Sequence, residues 1–600
     1  MATPFLWERL TCNDEAAALL ARELKISPAI ARLLVIRGID ELESARRFLR
    51  PSLDHLHDPF KLADMAPAVE RILAAIERRE RIAIHGDYDC DGITSTVILR
   101  RALEVFGANV VHFLPDRMKD GYGLQPETFD RLQADGVTLV ISVDCGIRAI
   151  DAAKRARELG IDLIITDHHE PDAQLPMAIA VINPRRYDCD YPDKNLAGVG
   201  VALKLVQALC RKRDRERLLP AFIKVAAIGT LADVVPLVGE NRVIAKLGLD
   251  LLSRGPHKVG LRALLDVAGL TGKPIDSGHV AFQIAPRMNA AGRMASPDIA
   301  ARLLLAADEA MAAEAQELAR QLDGENGRRQ EEEAAILASA KKIVETDPSV
   351  GARSILVVAA EGWHRGVIGI VASKLVETFH RPAIVISMDG EVAHGSCRSI
   401  RGFNVLAALE HSADHLSRFG GHKQAAGLTL LSSRVGAFRE TIAEYADNLL
   451  GPDDLKPRLR IDGCLGFRDI NADFAGEMAM LAPFGTGNPR PLFEARGVEV
   501  VDGPRRLKDK HLKMALKQNG RIFRAIAWRA IEREQFITDN RASLDLAFAL
   551  EHNRYQGNEY LELSISDVRT PIVERPAAVL AEVAASLAEV DLGRASGPID

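Results

Sequence analysis

The chain has 600 residues, and at roughly one domain per ~150 residues it is long enough for about four domains. Its composition, with 47% hydrophobic and 27% charged residues, is ordinary for globular proteins and excludes a wholly disordered, collagen-like or coiled-coil protein. The net charge of −6 provides no global positive field, so charge alone neither indicates nor excludes a nucleic-acid partner.

The sequence also bears on the compartment. No apolar run approaches the ~18 residues that a membrane span needs, and the start, MATPFLWERLTCND, lacks the basic-then-apolar order of a signal peptide. The seven cysteines are an odd number without a CxxC pair, which argues against a disulfide framework or a structural zinc site. We therefore expect a cytoplasmic protein that does not associate with a membrane.

The first elements along the chain are expected to be short helices, which form an N-terminal cap over residues 1 to about 50. From about residue 80, β-branched runs alternate with helical stretches, a pattern typical of a parallel sheet covered by helices on both faces. The predicted strands are RIAI (81–84), NVVHFL (109–114), TLVISV (138–143) and DLIIT (162–166), with helices near 93–105, 125–134 and 147–158.

The second half of the chain has a different pattern. Residues 200–345 read as mainly helical and end in a long charged helix at about 306–345, which we expect to bridge two domains. A second α/β segment follows, with strand-like runs at 352–360 and 382–388 around a helix near 366–378. From about 456 to 570, five or six short strands separated by turn residues predict a small β-barrel, followed by an Ala- and Glu-rich helical tail.

Loops rich in aspartate and histidine directly follow three of the predicted strands. They are HGDYDCDG (85–92), DCG (144–146) and DHH (167–169). Because ligands bind at the carboxyl ends of parallel strands, we expect these loops to converge on one place. Asp233, which follows an apolar helix, is a further candidate.

The chemistry of these loops favours divalent cations. The glycines of the first loop do not match a dinucleotide fingerprint, and its three carboxylates would repel a pyrophosphate. Clustered aspartates cannot all ionise near neutral pH without cations, because like charges raise one another's pKa. Oxygen ligands with interleaved histidines suit Mn²⁺ or Mg²⁺ better than zinc, and two such ions ~4 Å apart can clamp a phosphoester. A lone DHH triplet could be a solvent-exposed loop, but the ordered set of loops predicts a dinuclear phosphoesterase.

Taken together, the motifs resemble the DHH phosphoesterase superfamily. Over about 55–570 the chain is similar to the single-strand-specific 5′-to-3′ exonucleases of that superfamily. The motifs that carry the resemblance are HGDYDCDG (85–92), PDRMKDGYGL (115–124), VDCG (143–146), DHH (167–169), NPRR (183–186), LAGVGVALK (196–204), GTLADVVPL (229–237), APRMNAAGRM (285–294), GWHRGVIGIVASKL (362–375), GSCRSI (395–400) and FGGHKQAAGL (419–428).

The resemblance implies roles for the residues of these loops. The two divalent cations, Mn²⁺ or Mg²⁺, would be held by His85, Asp89, Asp91, Asp144, His168 and Asp233. Around these ligands, or close to the substrate phosphate, it places Asp87, Asp167 and His169, with Asp87 as an alternative direct ligand. The catalytic residues would be Asp89, Asp91, Asp144, His168, His169 and Asp233.

Downstream residues are candidates for substrate binding. The glycine-rich segments GSCRSI and FGGHKQAAG carry Ser396, Arg398 and His422, and such glycines let backbone N–H groups approach an anion. The alternative is an ordinary glycine turn with exposed basic residues. The substrate-binding residues that the resemblance implies are Arg287, Asn289, Arg293, Ser396, Arg398, Gly421 and His422, together with Arg117 for a 5′-terminal phosphate, which could instead be a surface arginine.

The β-rich segment looks like an OB-fold, a barrel that commonly binds single strands through a basic groove with aromatic platforms. A basic run here consists of Arg505, Arg506, Lys508, Lys510, Lys513, Lys517, Arg521, Arg524 and Arg529. A solvated face is the alternative interpretation of such a run. Phe523, Trp528 and Tyr555 are the nearby aromatics; any of them could be core, and for Phe523 we favour core.

The expected fold is therefore α/β and multi-domain, with a parallel-sheet DHH catalytic domain, a smaller α/β DHH-associated domain and an OB-fold β-barrel. The expected domains are an N-terminal helical cap (1–54), the catalytic domain (55–305), a connecting helix (306–345), the substrate-binding domain (346–455), the barrel (456–570) and a tail (571–600).

The expected function is that of a metal-dependent, single-stranded-DNA-specific exonuclease. It would act 5′ to 3′, release 5′-mononucleotides and serve recombination and repair; polarity and DNA preference rest on the resemblance alone. The resemblance implies a monomer that works with a RecQ-type helicase and a single-strand-binding protein. Two alternatives remain open: a phosphodiesterase for short oligonucleotides or cyclic dinucleotides, and a nucleic-acid-binding protein with an inactive phosphoesterase core.

Overall fold

The computed structural model describes residues 5–116, 123–555 and 558–571. The chain forms two compact units. The larger contains residues 37–457 and 480–490, and the smaller contains the described parts of 1–36, 458–479 and 491–600. Within the described ranges, no helix combines the length and the apolar character that a membrane span requires.

The first sheet belongs to the larger unit. Before it, the smaller unit contributes β1 (Leu6–Arg9), α1 (Asp14–Leu24) and α2 (Pro28–Ile36). The larger unit then begins with α3 (Leu42–Leu49), α4 (Met65–Glu77), β2 (Arg81–Gly86), α5 (Cys90–Val105), β3 (Asn109–Phe113), α6 (Pro126–Ala134), β4 (Val137–Val143), α7 (Ile150–Glu158), β5 (Asp162–Thr166) and β6 (Ala180–Ile182). The strands and helices predicted for this region are present; β6, only three residues long, was not predicted.

All five strands of this sheet run parallel, in the order β3-β2-β4-β5-β6. The strands are apolar and buried because helices cover both faces, with α4 and α5 over one core and α6 and α7 over the other. The winding reverses between β2 and β4. In such sheets the crevice at the reversal, beyond the carboxyl ends of the strands, is where ligands bind.

A helical region follows the sheet. It consists of α8 (Gly198–Lys212), α9 (Pro220–Ala232), α10 (Gly239–Arg254), α11 (Val259–Val267), α12 (Ser277–His279), α13 (Ala285–Met294), α14 (Asp298–Leu305), α15 (Ala312–Thr346) and α16 (Pro348–Gly351). The predicted long helix is α15, with 35 residues. Its first half adds Leu318 and Leu322 to a core formed with the preceding helices, and its second half adds Ile336 and Val344 to the core of the next sheet.

The second sheet of the larger unit is mixed. Its elements are β7 (Leu356–Glu361), α17 (Ile368–Phe379), β8 (Ala383–Asp389), β9 (Val392–Arg398), α18 (Val405–His411), β10 (Arg418–Gly421), β11 (Ala425–Leu431) and α19 (Val435–Leu449). The order is β10-β11-β9-β8-β7, and only β7 and β8 run parallel. The segments GSCRSI and FGGHKQAAG, for which an ordinary glycine turn was the alternative interpretation, lie largely in β9, β10 and β11, where antiparallel pairing satisfies their backbone groups.

The smaller unit is a closed barrel. Its remaining elements are β12 (Arg458–Ile461), β13 (Gly463–Cys464), α20 (Ala472–Leu481), β14 (Phe493–Leu507), β15 (His511–Gln518), β16 (Arg521–Ala527), α21 (Glu534–Asp539), β17 (Leu544–Tyr555) and β18 (Asn558–Arg569). Strand pairing runs β14-β15-β16-β18-β17 and returns to β14, which closes five strands as in an OB-fold. Phe467, Phe493 and Phe548 fill its interior. The predicted helical tail lies outside the described residues.

The expectation of helices throughout residues 1–50 is wrong at β1, which pairs in parallel with β12. The reason is tertiary. The Trp7 indole N–H donates to Asp567 at 2.9 Å, and the Arg9 guanidinium bonds the buried Glu494 at 2.7 Å. These partners lie more than 450 positions away, so no local pattern in the sequence indicates the strand.

Candidate metal centre

The three predicted loops meet at the carboxyl edge of the parallel sheet, beside the reversal between β2 and β4. Three overlapping sets of side chains each offer ligand atoms that lie within 4.8 Å of one another. The sets are Asp144, His168 and His169; Asp91, His168 and Asp233; and Asp87, Asp89 and Asp144. The chain thus brings together carboxylates and imidazoles from four separate stretches of sequence.

The atoms at the middle of this cluster are buried and unpaired. His168 Nε2 lies 3.2 Å from Asp144 Oδ1, 3.6 Å from Asp233 Oδ2 and 4.0 Å from Asp91 Oδ2. Among the described residues, His168 Nε2, Asp144 Oδ1 and Asp233 Oδ2 have no hydrogen-bond partner. Buried polar atoms in native proteins nearly always have one. These atoms therefore fit a cation that would bind between them.

The pKa values of the clustered side chains also favour a bound cation. Burial, reinforced by neighbouring carboxylates, raises the pKa of Asp91 to about 7, that of Asp87 to about 8 and that of Asp233 to about 9. The same causes hold the pKa of Asp144 well above its ordinary value. Burial lowers the pKa of His168 to about 4, so its imidazole is neutral and can act as a ligand. Without cations the carboxyls retain protons, which divalent ions would displace.

The DxDxDG segment folds into a turn that begins α5. Asp89 caps the helix, because its Oδ1 accepts hydrogen bonds from the N–H groups of Asp91 at 2.9 Å and Gly92 at 3.0 Å. Asp91 binds the start of α8, where Gly198 and Val199 donate their N–H groups to its two oxygens at 2.7 and 2.8 Å. These backbone donors hold two adjacent acidic side chains in fixed orientations.

Asp144 is held by its backbone and by a glycine opposite it. Its φ of 61° lies in the left-handed region, which few non-glycine residues adopt. A Cβ on Gly198 would lie only 2.3 Å from Asp144 Oδ1, so the first residue of α8 must be glycine. The first glycine of the LAGVG segment is thus explained by the carboxylate that α8 approaches.

Asp167 and His169 form a charged pair beside the cluster. Asp167 accepts hydrogen bonds from Ile147 N–H at 2.9 Å, His168 N–H at 2.7 Å and His169 Nδ1 at 2.7 Å. Burial alone would raise the pKa of Asp167, but the hydrogen bond and charge of His169, together with the backbone N–H donors, lower it. Burial opposes the charge on His169, yet the hydrogen bond that it donates to Asp167 raises its pKa. The hydrogen bond to Asp167 therefore favours the protonated form of an imidazole that is 39% exposed.

His85 lies at the carboxyl end of β2 but belongs to none of the three sets found among the described residues. Its ring centroid is 5.3 Å from that of Phe113, and its Nδ1 is 3.7 Å from Cys145 Sγ. Its role as a metal ligand stays a prediction.

Helix α13 carries three of the predicted substrate residues, which differ in their contacts. Asn289 Oδ1 accepts the Cys90 N–H at 2.7 Å, so this side chain supports the DxDxDG turn. Arg287 bonds Asp323 at 2.9 Å and the Gln283 carbonyl at 2.6 Å, and it is largely buried. Arg293, one helical turn after Asn289, lines a cleft and donates to the Gly366 carbonyl at 2.9 Å.

The cleft beside Arg293 has a volume of about 820 Å³ and a basic lining. The cationic or titratable side chains that line it are Arg293, Arg365, His394, Arg398 and Arg418; none of the described lining residues is acidic. Ser396 and Arg398 alternate with buried residues along β9, and the glycine opposite Ser396, Gly427, leaves room above the sheet.

Sequence reasoning missed Arg365, His394 and Arg418. His394 lies two positions before Ser396, so the alternation along a strand would have indicated it once β9 was recognised.

The remaining predicted residues of this region lie elsewhere. Gly421 is the last residue of β10 and His422 begins the turn to β11; neither is among the residues that line the cleft. Gly421 has a φ of 146°, and a Cβ there would lie 2.5 Å from the Ala425 carbonyl, so this position requires glycine. The substrate-binding roles of Gly421 and His422 stay predictions. Arg117 lies outside the described residues.

On the barrel, Trp528 is 52% exposed and packs edge-on against His511, with ring centroids 4.8 Å apart. A pocket of about 650 Å³ beside them is lined by Lys508, Asp509, Lys510, His511, Arg529 and Ile531. Phe523 packs edge-on against the buried Phe467 at 5.3 Å, which fits the core role favoured for it. The side chain of Tyr555 lies outside the described part of the structure.

Gly198→Ala tests the metal centre. The added methyl group would lie 2.3 Å from Asp144 Oδ1 and displace this carboxylate, so Mn²⁺ affinity, measured by calorimetry, should fall roughly 10- to 100-fold. The matched control is Gly327→Ala in α15, where a Cβ meets no atom within 4 Å. The control should keep wild-type affinity; equal affinities for both variants would contradict the assignment.

The raised pKa values predict how metal ions stabilise the protein at different pH. A carboxyl whose pKa is raised on folding binds its proton more tightly in the folded state, so the metal-free protein loses stability as pH rises from the unfolded value of ~4 to the folded values. Mn²⁺ replaces these protons, so the increase in Tm that it causes should be larger at about pH 8.5 than at about pH 6. Scanning fluorimetry with Mn²⁺ or EDTA measures this increase. An increase that does not depend on pH would argue against proton displacement.

Comparison with known proteins identifies all three regions. The DHH family N-terminal domain matches residues 81–230, the DHHA1 domain matches 352–448, and the RecJ OB domain matches 461–567.

The single-stranded-DNA-specific exonuclease RecJ of Bacillus subtilis is 40% identical over 570 residues, which cover 94% of this chain and 71% of that protein. The Escherichia coli protein of the same name is 33% identical, with 92% and 97% covered. The crystal structure of RecJ from Thermus thermophilus in complex with Mn²⁺ superimposes with a TM-score of 0.81 at 32% identity, covering 96% of this chain and 81% of that one. The chain therefore belongs to the RecJ family of single-stranded-DNA-specific exonucleases.

Proposed function

We propose that this protein is a metal-dependent exonuclease that hydrolyses single-stranded DNA from the 5′ end, releases 5′-mononucleotides and serves recombination and repair. One observation carries this proposal: a cluster of buried metal-ligand atoms and a cleft lined by cationic side chains are connected by a single turn of α13. A metal centre accounts for phosphodiester hydrolysis, and a cationic cleft beside it accounts for binding of the strand through its phosphates.

The residues that would hold two divalent cations, Mn²⁺ or Mg²⁺, are Asp87, Asp89, Asp91, Asp144, His168 and Asp233, with His85 at the end of β2. Their unpaired buried atoms and the preference of hard cations for oxygen fit these metals. When bound, such a pair of cations supplies an activated water and stabilises negative charge on the phosphate.

The cleft would bind the 5′-terminal phosphate. Arg398, next to the Ser396 hydroxyl at 3.3 Å, presents a guanidinium that can bind a phosphate through two hydrogen bonds. Arg293 lines the same cleft and lies four residues, about 6 Å along the helix, from the side chain that supports the DxDxDG turn. A phosphate held in the cleft would thus leave the next phosphodiester within reach of the metal centre.

His169 would supply the proton for the leaving group. The hydrogen bond between Asp167 and Nδ1 favours the charged form of this imidazole, and its ring centroid is 4.4 Å from that of His168. Water attacks phosphorus and releases a proton to solvent, the bond from phosphorus to the 3′ oxygen of the terminal nucleotide breaks, and that oxygen takes a proton from His169, which solvent then restores. The shortened strand keeps a 5′ phosphate, and the released product is a 5′-mononucleotide.

The barrel surface favours a long strand over a cyclic or very short substrate. The half-exposed Trp528 and the exposed basic residues of β15 and β16 offer stacking and backbone contacts that tolerate any sequence. A dinucleotide would need neither. This distinguishes an exonuclease from a small-molecule phosphodiesterase, which would use only the metal centre and the cleft.

We also propose the setting in which the protein works. All seven cysteines are unpaired, which fits a reducing compartment such as the cytoplasm. An enzyme that consumes single strands needs them exposed, so a RecQ-type helicase and a single-strand-binding protein are the partners we propose for a monomeric enzyme.

Asp144→Asn tests the proposed mechanism. Removal of this central charge should lower hydrolysis of a 5′-labelled single-stranded oligonucleotide roughly 100-fold or more, while binding of the strand, measured by fluorescence anisotropy, stays close to wild type. EDTA should abolish the wild-type activity. Asp151→Asn, at an exposed position at the start of α7, is the control and should retain full activity. Normal hydrolysis by Asp144→Asn would exclude the site.

Arg398→Ala tests the grip on the 5′ end. Loss of the guanidinium should raise the KM for a 5′-phosphorylated strand roughly 10- to 100-fold, because hydrogen bonds to charged groups contribute about 1.5–3 kcal/mol each. A strand with a 5′ hydroxyl should be affected much less. Arg434→Ala, which removes an exposed arginine bonded to the Asp414 carbonyl, is the control. An equal increase in KM for both strands would show that Arg398 does not recognise the terminal phosphate.

A further inference from the structure

The first turn of α10 contains three polar residues that the proposed mechanism does not use. Glu240, Asn241 and Arg242 are at most 1% exposed, although each carries a strongly hydrated side chain. Burying such groups is costly unless every hydrogen bond is made. Their contacts therefore show what this turn holds together.

Asn241 uses its whole amide to join two backbone segments. Its Nδ2 donates to the carbonyls of Asn195 and Pro236, the latter at 3.1 Å, and its Oδ1 accepts the Ala197 N–H at 3.4 Å. Two donated hydrogens and one acceptor are engaged. An alanine retains none of these bonds.

Both segments lead directly into the metal centre. Residues 195–197 precede Gly198 and Val199, whose N–H groups hold the two oxygens of Asp91. Pro236 comes three residues after Asp233, and Val234 between them has a φ of 61°, a strained conformation for a β-branched residue. The Asn241 side chain therefore ties the segment of Asp233 to the segment that orients Asp91.

The two segments differ in how else they are anchored. Asp193 accepts the N–H groups of Asn195 at 2.9 Å and Glu240 at 2.8 Å, so the 193–195 loop stays attached to α10 without Asn241. On the other side, the next backbone contact is from the Leu237 N–H to the Thr486 carbonyl at 2.8 Å, beyond Pro236. Loss of the Asn241 amide would thus chiefly release the stretch that carries Asp233.

We propose that Asn241 is a positioning residue for the metal centre: through Pro236 it sets the position of Asp233 relative to Asp91 and His168. This inference rests on the proposed metal centre. It adds the residue that fixes the relative positions of three of the ligands, Asp91, His168 and Asp233. It predicts that loss of the Asn241 side chain lowers the affinity for metal, although this side chain forms no hydrogen bond with Asp91, His168 or Asp233.

The test compares Asn241→Ala with Tyr191→Phe in the full-length protein. Tyr191 is fully buried in the same network, and its hydroxyl donates to Glu240 at 2.5 Å, so Tyr191→Phe removes a buried hydrogen bond without touching the segments of Asp91 or Asp233. Calorimetric titration with Mn²⁺ in the absence of DNA gives affinity, and Tm gives stability. Asn241→Ala should weaken Mn²⁺ binding roughly 10-fold or more, whereas Tyr191→Phe should change it less than about twofold.

A kinetic measurement separates positioning from general loosening. The Mn²⁺ concentration for half-maximal hydrolysis should rise for Asn241→Ala, and saturating Mn²⁺ should restore most of the rate. If Asn241→Ala does not fold, Asn241→Ser, which keeps a small polar group, replaces it in both measurements.

Unchanged Mn²⁺ affinity in the Asn241 variant, or an equal loss in Tyr191→Phe, would overturn the inference while the metal centre stands. Failure of the wild type to bind Mn²⁺, or undiminished binding by Asp144→Asn, would overturn the metal centre and the inference with it.

Discussion

The mutual repulsion of buried carboxylates is the constraint on which the rest of this structure depends. Asp87, Asp91, Asp144 and Asp233 are withdrawn from water within a few ångströms of one another, and their pKa values rise as a result. Such a cluster is tolerable only if protons or cations neutralise it. Much of the catalytic half serves to hold these charges in place: the cap by Asp89, the N-terminus of α8, and the glycine at position 198 that admits the carboxylate of Asp144.

Helix α13 links this strained region to the surface that would meet the substrate. On one turn Asn289 binds the backbone of the DxDxDG segment, and on the next Arg293 borders the cationic cleft. The close approach of Gly292 to the Tyr88 carbonyl, where a Cβ would lie 2.3 Å away, keeps the helix against the loop. A short rigid element thus relates the position of a bound phosphate to the position of the ligands, which suits an enzyme that removes one nucleotide at a time.

Four strands of the catalytic sheet could be predicted because each is an apolar run, and loops of unusual chemistry follow three of them. Apart from His85, the predicted ligands of these loops lie together because parallel strands end at one edge. Other features depend on partners far away in the sequence. Asn289 and Arg287 are predicted substrate contacts, and the structure adds bonds to Cys90 and Asp323, which only the folded chain brings near. The glycines in β9 and β11 kept these strands from being predicted. The alternation along β9 that places His394 beside Ser396 was therefore not recognised either.

The pairing of β1 with β12 has a consequence for biosynthesis. The smaller unit combines residues from the beginning of the chain with residues beyond 457, whereas the larger unit is almost continuous from residue 37 to 457. Because domains fold as units while the ribosome elongates the chain, the nuclease core can reach its native form first. The N-terminal strand must wait, unpaired, until the last quarter of the polypeptide has emerged from the exit tunnel.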